Sequence, residues 1–178
     1  MTDEDDADTH HGFKRISAAN LQQPDISRAF GRGTPEAWVE GFSRVQLDAR
    51  VPQEIAALFE VARGAMIYAW FFYPLMTLGA EQCYRVMEAG IRARCGQLGI
   101  PVVVAQKDGT GRPVSFGRLM QTLTERGLIR DDDKALWDIA RDLRNWASHP
   151  EGQAILTPAY AHSALARAAE LLGKLFTA

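Results

Sequence analysis

From Thr34 onward, apolar side chains recur three and four positions apart with few interruptions, a spacing that favours helices and leaves little room for sheet. Thr34 and Pro35 supply an N-cap and a first helical position, and Trp38, Phe42 and Val45 follow in phase. Pro52 opens a second helix, in which Ile55, Leu58, Phe59, Ala62, Met66, Ala69, Trp70 and Tyr73 keep the 3.6-residue period. Its second half, with Ile67, Tyr68, Phe71 and Phe72, is apolar all round, which predicts a central helix packed on several sides. Pro74 then breaks or kinks the chain.

A third helix is predicted from about Leu75 to Gln97, with Leu78, Val86, Met87, Gly90 and Ile91 inward. Glu81, Arg85, Glu88 and Arg92 form a polar stripe at spacings of four, three and four. Two readings are open for it: a solvated face of i,i+4 ion pairs, or the polar wall of a cleft. Residues 99–114 read as a loop with a short extended run at Val102–Val104. Within it, Lys107 to Arg112 is weakly like a phosphate cradle but lacks the Gly-Lys-Ser/Thr ending of a P-loop, so an exposed turn is expected. Ser115 caps a short helix carrying Phe116, Leu119, Met120 and Leu123, and Gly127 with Leu128 ends it. Asp131, Asp132 and Asp133 open the next helix, whose inward residues are read as Leu136, Ile139, Ala140, Leu143 and Ala147. Thr157-Pro158 starts the last, with Ala161, Leu165, Ala168, Leu172 and Leu175 inward. The prediction is an all-α bundle over residues 34–178.

Residues 1–33 carry no sustained helical or strand period and are expected to be a flexible acidic tail. Five of the 22 acids stand in the first ten residues, leaving 17 acids against 20 bases beyond them. The body is therefore slightly basic, which is compatible with a polyanion partner. Cys83 and Cys95 are too few for a disulfide framework or a zinc site and are expected to be buried thiols. The acidic start is unlike a signal peptide, and the most apolar stretch, from Gly64 to Gly79, is short of the roughly 20 residues of a membrane span. A cytoplasmic protein without membrane insertion is expected, and no metal or cofactor.

Chemistry concentrates in Arg141-Asp142-Leu143-Arg144-Asn145-Trp146-Ala147-Ser148-His149-Pro150. Pro150 disfavours the α conformation at His149, so the helix should end near Ser148 and present His149 at its negative end. Asn145 lies one turn earlier and Arg141 one turn before that, while the long side chain of Arg144 can swing toward the same spot. An amide, a guanidinium and an imidazole thus converge at one helix end.

Arg144, Asn145, three further residues and His149 reproduce the R-x4-H signature of the HEPN family, with the polar residue in second place. Its position, on the penultimate long helix with one amphipathic helix to follow, is also similar to that family, over residues 50–178. The resemblance implies a HEPN-like helical bundle, a homodimer, and a metal-independent endoribonuclease acting in a toxin, defence or stress setting. An antitoxin or nucleotidyltransferase partner is a further implication. Arg144, Asn145 and His149 would be catalytic, and Arg141, Ser148, Arg85 and Glu81 are candidate substrate-binding residues. RNA brings its own nucleophile, the 2′-hydroxyl. A His can move the proton, and an Arg can hold two phosphate oxygens as charge gathers on them. The products would be a 2′,3′-cyclic phosphate and a 5′-hydroxyl. The alternative is a non-catalytic module of the same fold that binds a nucleotide or a protein.

Overall fold

In the computed structural model the described residues are 9–10, 13–25, 33–106, 109–147 and 155–178, and the side chains of residues 9–10 and 146–147 are outside that description. Six helices are found there: α1 (Pro35–Ser43), α2 (Gln53–Tyr68), α3 (Leu75–Gln97), α4 (Phe116–Glu125), α5 (Asp131–Ala147) and α6 (Pro158–Thr177). Two short antiparallel ladders accompany them, β1 (Thr9–His10) with β2 (Phe13–Lys14), and β3 (Val103–Ala105) with β4 (Gly111–Pro113). The chain is thus mostly helical. No helix among the described residues is long and apolar enough to cross a membrane.

Side-chain caps set three of the helix starts. Thr34, Ser115 and Thr157 each accept a hydrogen bond from a backbone N–H in the first turn of α1, α4 and α6. Gly127 closes α4 at φ 73°, with the Leu128 N–H bonded to the Leu123 carbonyl at 2.9 Å. Gly99 and Ile100 close α3 in the same way, at φ 67° and 2.9 Å to Cys95.

Helix α3 is the hub, packed by α2, α4, α5 and α6. Gly79 lets it approach α2 closely, because a Cβ there would lie 2.7 Å from Met66 Cγ and 2.9 Å from the Ala62 carbonyl oxygen. Cys83 and Cys95 are both buried and free, and burial pushes the Cys83 thiol up to about 12. Of the phosphate-cradle-like segment, Gly109 and Thr110 lie between β3 and β4, Gly111 and Arg112 belong to β4, and Lys107 and Asp108 are outside the described residues.

Four expectations are corrected. Helix α2 ends at Tyr68, and residues 69–73 form turns whose Trp70 and Tyr73 are buried while Tyr68 itself is exposed. Leu78, expected inward, is 49% exposed; Met76, Thr77 and Ala80 take the core positions. Among the described side chains of α5, Ala140 is buried and Leu136 and Leu143 pack partly buried against the core as expected, but Ile139 is 54% exposed and Asp133 and Trp137 are buried in addition; Ala147, also expected inward, lies outside the described side chains. The helix carries apolar residues on two flanks, and the large Trp137 ring, with Asp133 bonded to Lys174 of α6 at 2.7 Å, decides which one turns in. Finally, residues 13–25 are anchored on the bundle rather than forming a free tail: Lys14 Nζ donates to the carbonyls of Asn20, Gln23 and Phe71, and the carboxylate of the buried Asp25 accepts from the Tyr73 N–H. These contacts rest on single polar groups and leave no period to read. The acidic residues 3–8 lie outside the described residues.

The rotation of α5 can be tested by chemical denaturation. Trp137→Ala should lower the unfolding free energy by about 3–5 kcal/mol. Leu78→Ala should cost under about 1 kcal/mol, because half of that side chain is already in water.

Candidate functional site

With Asp133, Trp137 and Ala140 inward, the same helical stripe continues at spacing four to Arg144. Arg144 is therefore turned toward α3, where its Nε donates to Glu88 Oε2 at 2.8 Å. Glu88 also accepts from Arg92 at 2.7 Å, and Arg92 donates as well to the Val114 carbonyl at 3.1 Å. One carboxylate is thus shared by two guanidiniums, and the Glu88 side chain is only 14% exposed. Arg144 Nη1 donates to the side-chain oxygen of Asn145 at 3.2 Å, so the two adjacent motif residues are coupled directly. Asn145 is exposed. Ser148 and His149 lie outside the described residues.

The remaining candidates are dispersed. Arg141 faces α4: its Cδ would be 3.5 Å from a Cβ at Gly117, and it pairs with Asp138 and Asp142 at 3.0 Å each. It borders a cleft of about 480 Å³ between α4 and α5 with Gln121, Glu125 and Lys134. Glu81 and Arg85, expected to pair, form no ion pair among the described residues. Arg85 is exposed, and burial pushes the Glu81 carboxyl up against the opposing pull of Arg85. The structure therefore brings Arg144 and Asn145 together, and leaves Arg141, Glu81 and Arg85 apart from them as far as the contacts go.

In the sequence Glu88 is one member of an i,i+4 stripe, with no role of its own. Its signal is its phase: it lies four residues after Tyr84 and three before Ile91, both buried. Alongside the Glu88–Arg144 pair, Met87 and Leu143 line a groove of about 260 Å³ between α3, α5 and α6. Tyr84 and Tyr160 meet hydroxyl to hydroxyl at 3.1 Å on its wall, and burial pushes the Tyr84 phenol upward. Among the described residues no group of three or more His, Cys, Asp or Glu is placed to hold a metal ion.

Chemically, the Arg92–Glu88–Arg144 group carries two cationic charges and one anionic charge. Its carboxylate fixes the Nε edge of Arg144, and charge-assisted contacts of this kind are shorter and stronger than neutral ones. Glu88→Ala leaves two partly buried guanidiniums without their shared acceptor, so stability should fall by roughly 1–3 kcal/mol, with Glu88→Gln losing less. Thermal and denaturant unfolding of the two variants checks this. Comparisons with protein families, curated proteins and solved structures found no match to this chain, so the reading of the site rests on its own residues.

Proposed function

We propose that the chain is a metal-independent endoribonuclease with a HEPN-like site at the C-terminal end of α5. The observation that carries this reading is the held guanidinium of Arg144, fixed along one edge by Glu88 and coupled to Asn145 in the last turn of the helix. With the Nε edge engaged, Arg144 is oriented before any substrate arrives, so less freedom is lost when it meets a phosphate. His149 follows four intervening residues after Arg144 in the chain and is the group able to exchange a proton near neutral pH. In the proposed reaction the RNA 2′-hydroxyl attacks the adjacent phosphorus, its proton passing to a His. Arg144 balances the charge on the phosphoryl oxygens, Asn145 orients the phosphate, and the 5′-oxygen leaves with a proton.

One His per chain supplies half of an acid–base pair, so the proposal includes a two-fold homodimer that brings two motifs together. The exposed Ile139, with Leu136 and Leu143 at the edge of the α3–α5–α6 groove, supports a contact along α5. An antitoxin or nucleotidyltransferase partner, and a toxin, defence or stress role in the cytoplasm, belong to the same proposal. A second reading has its own support: the ion pair of Arg144 with Glu88 is what a non-catalytic nucleotide- or protein-binding module would also contain.

His149→Ala should remove RNA cleavage in EDTA, a loss of about 10²–10⁴ in rate, while the melting temperature stays nearly unchanged. Arg144→Lys should also be impaired, because lysine keeps the charge and loses the fork. Asn145→Ala should be milder. Equal cleavage by wild type and His149→Ala, or none by either, would favour the binding module. Light scattering should give a dimer at micromolar concentration, and a strict monomer would contradict the composite site.

A further inference from the structure

The groove between α3, α5 and α6 is built from one face of each helix. On α5, Leu136, Ile139, Ala140 and Leu143 stand at i, i+3, i+4 and i+7, and Tyr160, Ser163, Ala164 and Arg167 repeat that spacing on α6. Helix α3 adds Tyr84 and Met87, three positions apart. Met87 and Ala140 are buried and make the floor, while Ile139 and Tyr160 are exposed and stand at the rim. The α5 side is wholly apolar, so every polar group of the lining comes from α3 or α6.

Those polar groups mark two ends. Tyr160 and Arg167 are seven residues apart, about 10 Å along the helix axis. At the first end the Tyr84 and Tyr160 hydroxyls meet at 3.1 Å. Two phenols carry two O–H donors, and one of them serves the pair. The second O–H and the oxygen lone pairs can therefore serve a third group. Burial, then the Tyr160 hydroxyl, raises the Tyr84 phenol above its ordinary value, and the negative Glu81 acts in the same direction. That end suits a neutral polar group and disfavours an anion.

The other end is cationic, since Arg167 is the one charged residue of the described lining. Its Nη1 reaches Glu170 Oε2 at 3.3 Å, with both side chains 46% exposed, whereas Lys174 holds Glu170 Oε1 at 2.8 Å. An exposed pair of this kind contributes little, and the guanidinium has further N–H donors in fork geometry for a second carboxylate. Between the two ends lies only apolar surface and the Ser163 hydroxyl.

We infer that this groove is a binding site for a small carboxylate with an apolar body, its anionic end at Arg167 and a neutral polar end at the tyrosine pair. The charge of Arg167 selects the anion, and the apolar α5 face receives the body. The volume of about 260 Å³ is below the roughly 300–1,000 Å³ of sites for drug-sized ligands, so a single ring or short chain fills it. The inference does not rest on the ribonuclease reading.

The test titrates the full chain with 3-(4-hydroxyphenyl)propionate and follows side-chain methyl groups by NMR. Saturable shifts are expected at Leu136, Ile139 and Leu143. Arg167→Gln should weaken binding by about 2–5-fold and leave the neutral probe 3-(4-hydroxyphenyl)propanamide unaffected. Tyr160→Phe should weaken it by about 2–10-fold and leave 3-phenylpropionate, which lacks the hydroxyl, unaffected. Ala164→Leu, which narrows the groove, should remove binding. Arg167 and Tyr160 are both partly in water, so their variants keep the test valid even if the Leu variant does not fold. Absence of saturable shifts at the groove methyls with millimolar probe would overturn the site. Equal binding of the propionate to wild type and Arg167→Gln would overturn the carboxylate assignment. Methyl shifts that follow protein concentration instead of the probe would overturn the inference in favour of a second copy of the chain seated in the groove.

Discussion

Among the described residues, the Glu88 carboxylate is the polar group that ties α5 to α3 through Arg144. Helix α3 is packed by four other helices, so a charge it turns inward has to be met there by its neighbours. Glu88 meets Arg92 on its own helix and Arg144 on α5. An exposed pair of this type contributes little, but this carboxylate is mostly removed from water, so its loss leaves both cations poorly compensated. At the other end of α5, Asp133 is tied to Lys174 of α6, and Trp137 fills the core between. Polar anchors at each end and one large ring in the middle define a single rotation for the helix, and that rotation is what delivers Arg144 to α3.

A second set of polar contacts governs the opposite corner of the bundle. The chain leaves α2 at Tyr68, makes turns, and starts α3 at Leu75, which exposes carbonyls that no helix satisfies. Residues 14–25 use two of these, at Trp70 and Phe71. Such contacts are directional and few, unlike the apolar packing of α2 on α3, and they make the anchoring of residues 13–25 dependent on Lys14 and Asp25 in particular.

Much of this was legible in the sequence where local chemistry is decisive. The caps at Thr34, Ser115 and Thr157, the stop at Gly127, and the bounds of α3 all follow from short-range rules. The fine rotation of α5 was not, because Ile139 and Trp137 stand on opposite flanks of the face that Leu136, Ala140 and Leu143 define, and either could complete it. Choosing between them needs the shape of the facing core. The anchoring of residues 13–25 was also hidden, since hydrogen bonds to distant carbonyls have no period. At the candidate site, the adjacency of Arg144 and Asn145 was readable, whereas Glu88 resembled half of an ordinary i,i+4 pair with Arg92. Only the approach of α5 reveals that it serves two cations.

The proposed chemistry connects these features: a guanidinium oriented by Glu88, an amide beside it, and an imidazole further along the chain, acting on a nucleophile that RNA itself carries. The most direct test is the chemistry of the product ends when purified protein is incubated with RNA in EDTA. The account predicts 2′,3′-cyclic phosphate and 5′-hydroxyl ends from the wild type and their absence with His149→Ala. Ends bearing 3′-hydroxyl and 5′-phosphate, formed only with added divalent cations, would contradict it.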